Sequence, residues 1–180
     1  MAVILVFDLD GTIAPYKRSV SKKMAEFLNK LARSYEVRVV TGGKSSYAKR
    51  ACRRLENIYV VGTADRHSSI DMAKALGVSK STFHDSKKLQ KSRLSIIKQL
   101  NYSLYKLNLV AMAGGRSTID ITHKNSTKAN MVHGDIIYFY DCKWEFNLKH
   151  SNDWPLIKKS TKAIRTDWKR IRKDVIKCLQ

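Results

Sequence analysis

Residues 2–12 read AVILVFDLDGT: six apolar residues, Ala2 to Phe7, run straight into Asp8-Leu9-Asp10-Gly11-Thr12. A short continuous run of Val, Ile and Leu is the pattern of a parallel strand covered by helices on both faces. It is far short of the ~20 residues that span a bilayer. An acid follows it directly and no charge precedes it, so it does not read as a secretory signal. Two carboxylates two residues apart where a buried strand ends repel each other. The arrangement is tolerable when a hard cation such as Mg²⁺ sits between them or one carboxyl keeps its proton. Ligands of open parallel sheets bind beyond the carboxyl ends of the strands, so Asp8 and Asp10 stand where a site belongs.

The rest of the chain extends this strand into an α/β order. Val20, Met24, Phe27, Leu28 and Leu31 recur at helical spacing behind Ser19, a candidate cap. Val37 to Thr41 is a second short strand, Gly42-Gly43 a turn, and Ala48, Ala51, Cys52 and Leu55 the inner stripe of a second helix. Ile58 to Val61 makes a third strand. From Gly62 to about Thr122 the rhythm changes: helices around Ser69 to Leu76 and Ser86 to Leu100 precede a hairpin of Leu107 to Ala113 and Ser117 to Thr122. A short helix near Thr127 to His133, a stop at Gly134 and the strand Asp135 to Tyr140 resume the first pattern. A last helix aligns Trp168, Ile171, Val175 and Leu179. The expected organisation is a core of residues 1–62 and 123–180 with an inserted subdomain of residues 63–122.

Composition narrows the function classes. The chain has 180 residues, 43% of them hydrophobic, which is ample for a core and excludes a disordered tail. Its 35 Lys and Arg against 15 Asp and Glu leave a net charge of +20, a field that attracts phosphoesters, nucleic acid or acidic lipid without choosing among them. No nucleic-acid-binding signature accompanies the basic runs Lys80 to Lys106 and Lys158 to Gln180, so sequence-specific readout is not expected, whereas nonspecific attraction is. Tyr102 and Tyr105 are base-stacking candidates at the end of the first run. Cys52, Cys142 and Cys178 show no CxxC spacing, which fits a reducing cytoplasm. The five histidines show no metal-ligand spacing.

DLDGTI, with the segments VVTGG, KNSTK and DIIYFYDCK after it in order, resembles the motifs of the haloacid dehalogenase (HAD) superfamily of phosphohydrolases. Within it, DGTIAP, VVTGGKSSYAKR, GGRSTIDITHKNSTK and the Asn152-Asp153 pair are similar to the branch of phosphomannomutases and Cof-type sugar phosphatases. The resemblance implies an α/β, Rossmann-like HAD core, its parallel sheet flanked by helices, with a small inserted α+β cap between the third strand and the catalytic Lys. Only a few residues separate Asp10 from the first helix, so the long stretch from Gly62 is where a cap fits. The resemblance further implies Asp8 as nucleophile, Asp10 as general acid and base, Thr41 as phosphoryl donor and Lys128 as the neutralising cation. Mg²⁺ is the implied cofactor, with Asp8, Asp10, Asp141 and Asp153 as metal ligands.

The fourth motif departs from the family. The usual Gly-Asp after the strand is replaced by Tyr140-Asp141-Cys142, one place early, so Asp141, Asp153 and Asp135 all stand as ligands, with Asp141 favoured because it follows a buried strand directly. Gly42 and Arg116 are candidate substrate contacts. Each residue also has an ordinary reading: Asp8 and Asp10 as turn caps, Thr41 as a strand end, Lys128 as one solvated lysine among many. The expected function is a Mg²⁺-dependent phosphomonoesterase working through an aspartyl phosphate on a small phosphorylated metabolite, a sugar phosphate in the first instance, with no membrane partner. A phosphosugar mutase, or a basic nucleic-acid or nucleotide binder or end phosphatase on the same scaffold, are the alternatives.

Overall fold

The computed structural model describes residues 3–141, 149 and 151–180. In chain order the elements are β1 (Val3–Phe7), α1 (Lys22–Leu31), β2 (Glu36–Thr41), α2 (Ser45–Ala51), β3 (Tyr59–Gly62), β4 (His67–Asp71), α3 (Met72–Ala75), α4 (Lys80–Asp85), α5 (Lys87–Leu104), β5 (Leu109–Gly114), β6 (Thr118–His123), β7 (Asp135–Tyr140), α6 (Trp154–Lys159), β8 (Lys162–Arg165) and α7 (Ile171–Leu179). They form two compact units: Met1–Asp65 with Lys128–Lys143 and Pro155–Gln180, and Arg66–Thr127 with Trp144–Trp154. Sequence reasoning placed everything from residue 123 in the first unit. Residues up to Thr127, and Lys149 with residues 151–154, group with the second instead.

The first unit is an α/β layer structure. Its sheet is parallel throughout, in the order β3-β2-β1-β7-β8, so β1 is central. The unbroken apolar run of β1 is explained by burial of both its faces. Leu5 and Phe7 point into a core shared with Met24 and Leu28 of α1 and Ile171 and Val175 of α7, whereas Ile4 and Val6, on the opposite face, are equally buried. Phe7 and Phe139 stack across β1 and β7 at 4.9 Å, which locks the register of the pair that carries the site. Burying side chains of this size contributes ~1.5–3 kcal/mol each.

Several expectations need correction. The cap of α1 is Ser21, whose Oγ accepts from the Met24 amide, rather than Ser19. The stretch expected as a helix from Ser69 is strand up to Asp71, and only Met72–Ala75 is helical, because β4 completes a three-stranded antiparallel sheet in the order β4-β6-β5. The helix expected over Thr127 to His133 is a single 3₁₀ turn, Lys128–Met131, with another just ahead of it at Lys124–Ser126. Trp168 lies ahead of α7 and is 40% exposed, not part of its buried stripe. Neither α6 nor β8 was anticipated. Among the described residues no helix is long and apolar enough to cross a membrane.

Candidate active site

Asp8 lies one residue beyond β1. Phe7 is level with Val39 of β2 on one side and Phe139 of β7 on the other, so Thr41 and Asp141 each stand one residue past the level of Asp8 on the flanking strands. Adjacent strands are ~4.8 Å apart, which puts the three residues on one rim. It is also where the strand order reverses, since the chain runs outward from β1 to β2 and β3 and returns on the other side as β7 and β8. Such switch points leave a crevice at the carboxyl ends of the strands.

Asp8 is buried, and its Oδ1 accepts a 2.7 Å hydrogen bond from Nζ of Lys128, which is only 2% exposed. The two residues are 120 positions apart, brought together because the 3₁₀ turn that starts at Lys128 delivers the chain into β7. Taking both charges out of water is costly and is offset only by so direct a contact. Thr12 Oγ1 reaches Asp8 Oδ2 at 3.5 Å, and the Asp8 amide continues the ladder to Phe139 O at 2.9 Å.

Asp10 is fixed by one of its oxygens. Oδ1 accepts from the Lys17 amide at 2.7 Å and from the Tyr47 hydroxyl at 2.6 Å, and Oδ2 has no hydrogen-bond partner among the described residues. Burial, and then the bond to Asp10, raise the Tyr47 phenol above its ordinary range, so it stays a donor. Tyr47 was missed by the sequence reading: it lies on α2, 37 residues from Asp10, and no local pattern marks it. The intervening turn depends on Gly11, whose φ is +85° and whose place for a Cβ is filled by the Asp141 carboxylate. Only glycine meets both demands. The Gly11 carbonyl accepts from the Trp168 amide, which ties the loop to the start of α7.

Thr41 closes the other side. Its Oγ1 accepts from the Gly43 amide at 3.1 Å, and its carbonyl accepts from the amide and hydroxyl of Thr63 at 3.0 and 3.3 Å. Gly62 packs so closely on the Gly43 carbonyl that a Cβ there would overlap it, and Ser45 Oγ donates to the Gly62 carbonyl. The turn holding the half-buried Gly42 is thereby pinned to the end of β3. Cys52, buried behind α2, has its thiol pushed up to about 12, by burial first and the charge of Asp10 second. It is not a nucleophile at neutral pH.

The structure does not gather every candidate. Among the described residues no group of three or more His, Cys, Asp or Glu side chains is arranged to hold a metal. Asp10 spends one oxygen on Tyr47 and the Lys17 amide. Mg²⁺ commonly binds through one or two carboxylates, completing its shell with water and substrate phosphate. The oxygen donors of Asp8 and Asp141 fit that requirement. Asp135 lies at the opposite end of β7, bonded to the Thr161 hydroxyl. Arg116 is exposed in the turn between β5 and β6 of the second unit. Cys142 lies outside the described residues.

No family model matches the sequence, and no curated protein is similar to it in sequence. Solved structures do match in fold. An IMP-bound, N-terminally truncated IMP-nucleotidase of Plasmodium falciparum superimposes with a TM-score of 0.67 at 11% identity over 99% of this chain and 68% of that one. A trehalose-6-phosphate phosphatase of Aspergillus fumigatus gives 0.53 at 13% identity, covering 98% and 92%. A trehalose-6-phosphate phosphatase related protein gives 0.52 at 12% identity, covering 98% and 97%. The chain shares the fold of these neighbours, and in it a parallel sheet flanked by helices carries Asp8 at the end of its central strand.

Proposed function

We propose that the chain is a phosphomonoesterase that transfers the phosphoryl group of a small phosphorylated metabolite to Asp8 and then to water. The observation that carries this reading is the buried contact of Lys128 with Asp8 Oδ1, which fixes the carboxylate at the end of β1. Oδ2 bonds to phosphorus as the bond from phosphorus to the leaving oxygen breaks, and protonated Asp10 passes its proton to that oxygen. Asp10, now a carboxylate, takes a proton from water, whose oxygen bonds to phosphorus as the Asp8 acyl phosphate cleaves. Inorganic phosphate leaves and both carboxyls return to their starting state. The free Oδ2 of Asp10 suits this role, because Tyr47 and the Lys17 amide hold the other oxygen still.

Thr41 and the Gly42 amide donate to the phosphoryl oxygens in this reading, and Lys128 offsets part of their charge. Asp8 and Asp141 would hold Mg²⁺, which when bound would supply further charge neutralisation at the phosphoryl group. The fold likeness to phosphatases named for a nucleoside monophosphate and a sugar phosphate supports phosphomonoester hydrolysis and leaves a sugar phosphate as the first class to test. The test is phosphate release with and without Mg²⁺ on a panel of sugar phosphates, nucleoside monophosphates and end-phosphorylated oligonucleotides, with product analysis for phosphoryl migration. Release from small monoesters supports the reading. Migration without release makes the chain a mutase, and no turnover of any of them overturns it.

A further inference from the structure

We propose that the outer face of α5 is a docking surface for single-stranded nucleic acid. The surface lies wholly within the second unit and is independent of the active-site residues. Residues 66–127 carry eleven Lys and Arg against three Asp and no Glu. All three acids are engaged elsewhere: Asp71 with Lys80 at 2.9 Å, Asp85 with His84 at 2.7 Å, and Asp120 buried, accepting from Ser69. The 18 residues of α5 include no acid at all.

The helix is firmly seated. Asn101 brackets Ala111 of β5, donating to its carbonyl at 2.9 Å and accepting from its amide at 2.7 Å, and Ile97 and Leu100 pack on Ala111, Ala113 and Ile119. That anchoring determines which face looks outward. At 100° per residue Lys88, Lys91, Lys98 and Tyr102 fall within one 80° sector opposite Ile97, and all four are exposed. None of the three lysines makes an ion pair among the described residues.

The stripe ends in aromatic side chains. Tyr102 is 89% and Tyr105 73% exposed, the two most exposed large hydrophobic residues described, and Nζ of Lys124 sits 4.4 Å from the Tyr105 ring centroid. A row of unpaired cations spaced ~1.5 Å per residue along a helix tracks a phosphate backbone. The exposed Tyr102 ring, and the face of Tyr105 that Lys124 does not cover, supply stacking for unpaired bases beside it. An acidic bilayer is the less suitable partner, since the stripe is Lys, Ser and Tyr and lacks the apolar face that insertion needs.

The test is fluorescence anisotropy of the full chain with a labelled 20-nucleotide uridine strand that bears no terminal phosphate, over a salt series, so that the outcome does not depend on hydrolysis. Wild type is expected to bind, with a steep slope of log affinity on log salt. The triple variant Lys88→Glu/Lys91→Glu/Lys98→Glu should weaken binding at least tenfold and lower the slope by ~2, at ~0.7 per single-strand phosphate. Tyr102→Ala/Tyr105→Ala should weaken binding about tenfold with the slope unchanged. Circular dichroism melts of both variants should match wild type, which separates lost binding from lost folding. The proposal is overturned if wild type does not bind, if the lysine variant binds as wild type does, or if the tyrosine variant is silent while duplex and polyglutamate compete equally well. Preferential binding to phosphatidylserine vesicles overturns it in favour of a membrane.

Discussion

Removing one partner of the Asp8–Lys128 contact has a consequence that can be sized from the structure. In Lys128→Met the apolar stem is kept and the ammonium is lost, leaving the Asp8 carboxylate buried with its 2.7 Å donor gone. Breaking a buried pair from one side costs ~3–5 kcal/mol, because the remaining charge is uncompensated. For a chain of this size each kcal/mol lowers Tm by ~2–4 °C, so a fall of ~6–20 °C is expected. Asp8→Asn, which takes the counter-charge from the Lys128 ammonium instead, should also be destabilised. The double variant Asp8→Asn/Lys128→Met buries no charge and should recover ~2–4 kcal/mol of the summed loss, the signature of direct coupling. The assay is urea and thermal unfolding of the four proteins in EDTA, so that metal binding does not enter the cycle. Additive single effects, or a Lys128→Met cost under ~1 kcal/mol, would refute the buried pair as the site's electrostatic anchor.

Tyr47→Phe removes one of the two donors that hold Asp10 Oδ1, and a hydrogen bond to a charged group is worth ~1.5–3 kcal/mol. Steady-state kinetics on the best substrate should show kcat lowered ~10- to 100-fold with KM little changed. Asp141→Ala should raise the Mg²⁺ concentration for half-maximal activity far more than Asp153→Ala, and the reverse ranking would move the ligand assignment to Asp153. Cys52 should resist a thiol reagent at pH 8 in a Cys142→Ser/Cys178→Ser background. Its thiolate forms only toward pH 12 in the folded state, so labelling should appear with global unfolding in urea.

What the sequence disclosed, and what it hid, follows from whether the cause is local. The strand β1 and the acids after it were legible because burial on both faces demands an unbroken apolar run and because paired carboxylates at a strand end have few bland explanations. β7 was legible for the same reason. β8 was not: it is a four-residue edge strand, mostly exposed, in a lysine-rich stretch, and its place comes from pairing with β7 rather than from its own side chains. β4 was mistaken for helix because His67-Ser-Ser-Ile-Asp71 has little strand character, and its pairing with β6 lies some fifty residues away. In the site, Asp8, Asp10, Thr41 and Lys128 could be nominated by motif order. The contact of Lys128 with Asp8 and of Tyr47 with Asp10 could not, since each is made by the closing of the fold.

The central claim is that Asp8 accepts the phosphoryl group, and acid-quenched mass spectrometry of the enzyme mixed with Mg²⁺ and its best substrate tests it most directly. The peptide containing Asp8 should gain the mass of one phosphoryl group, lose it on treatment with hydroxylamine, and show no gain in Asp8→Asn. Turnover with no phosphorylated peptide under single-turnover conditions, or the label on another residue, would contradict it.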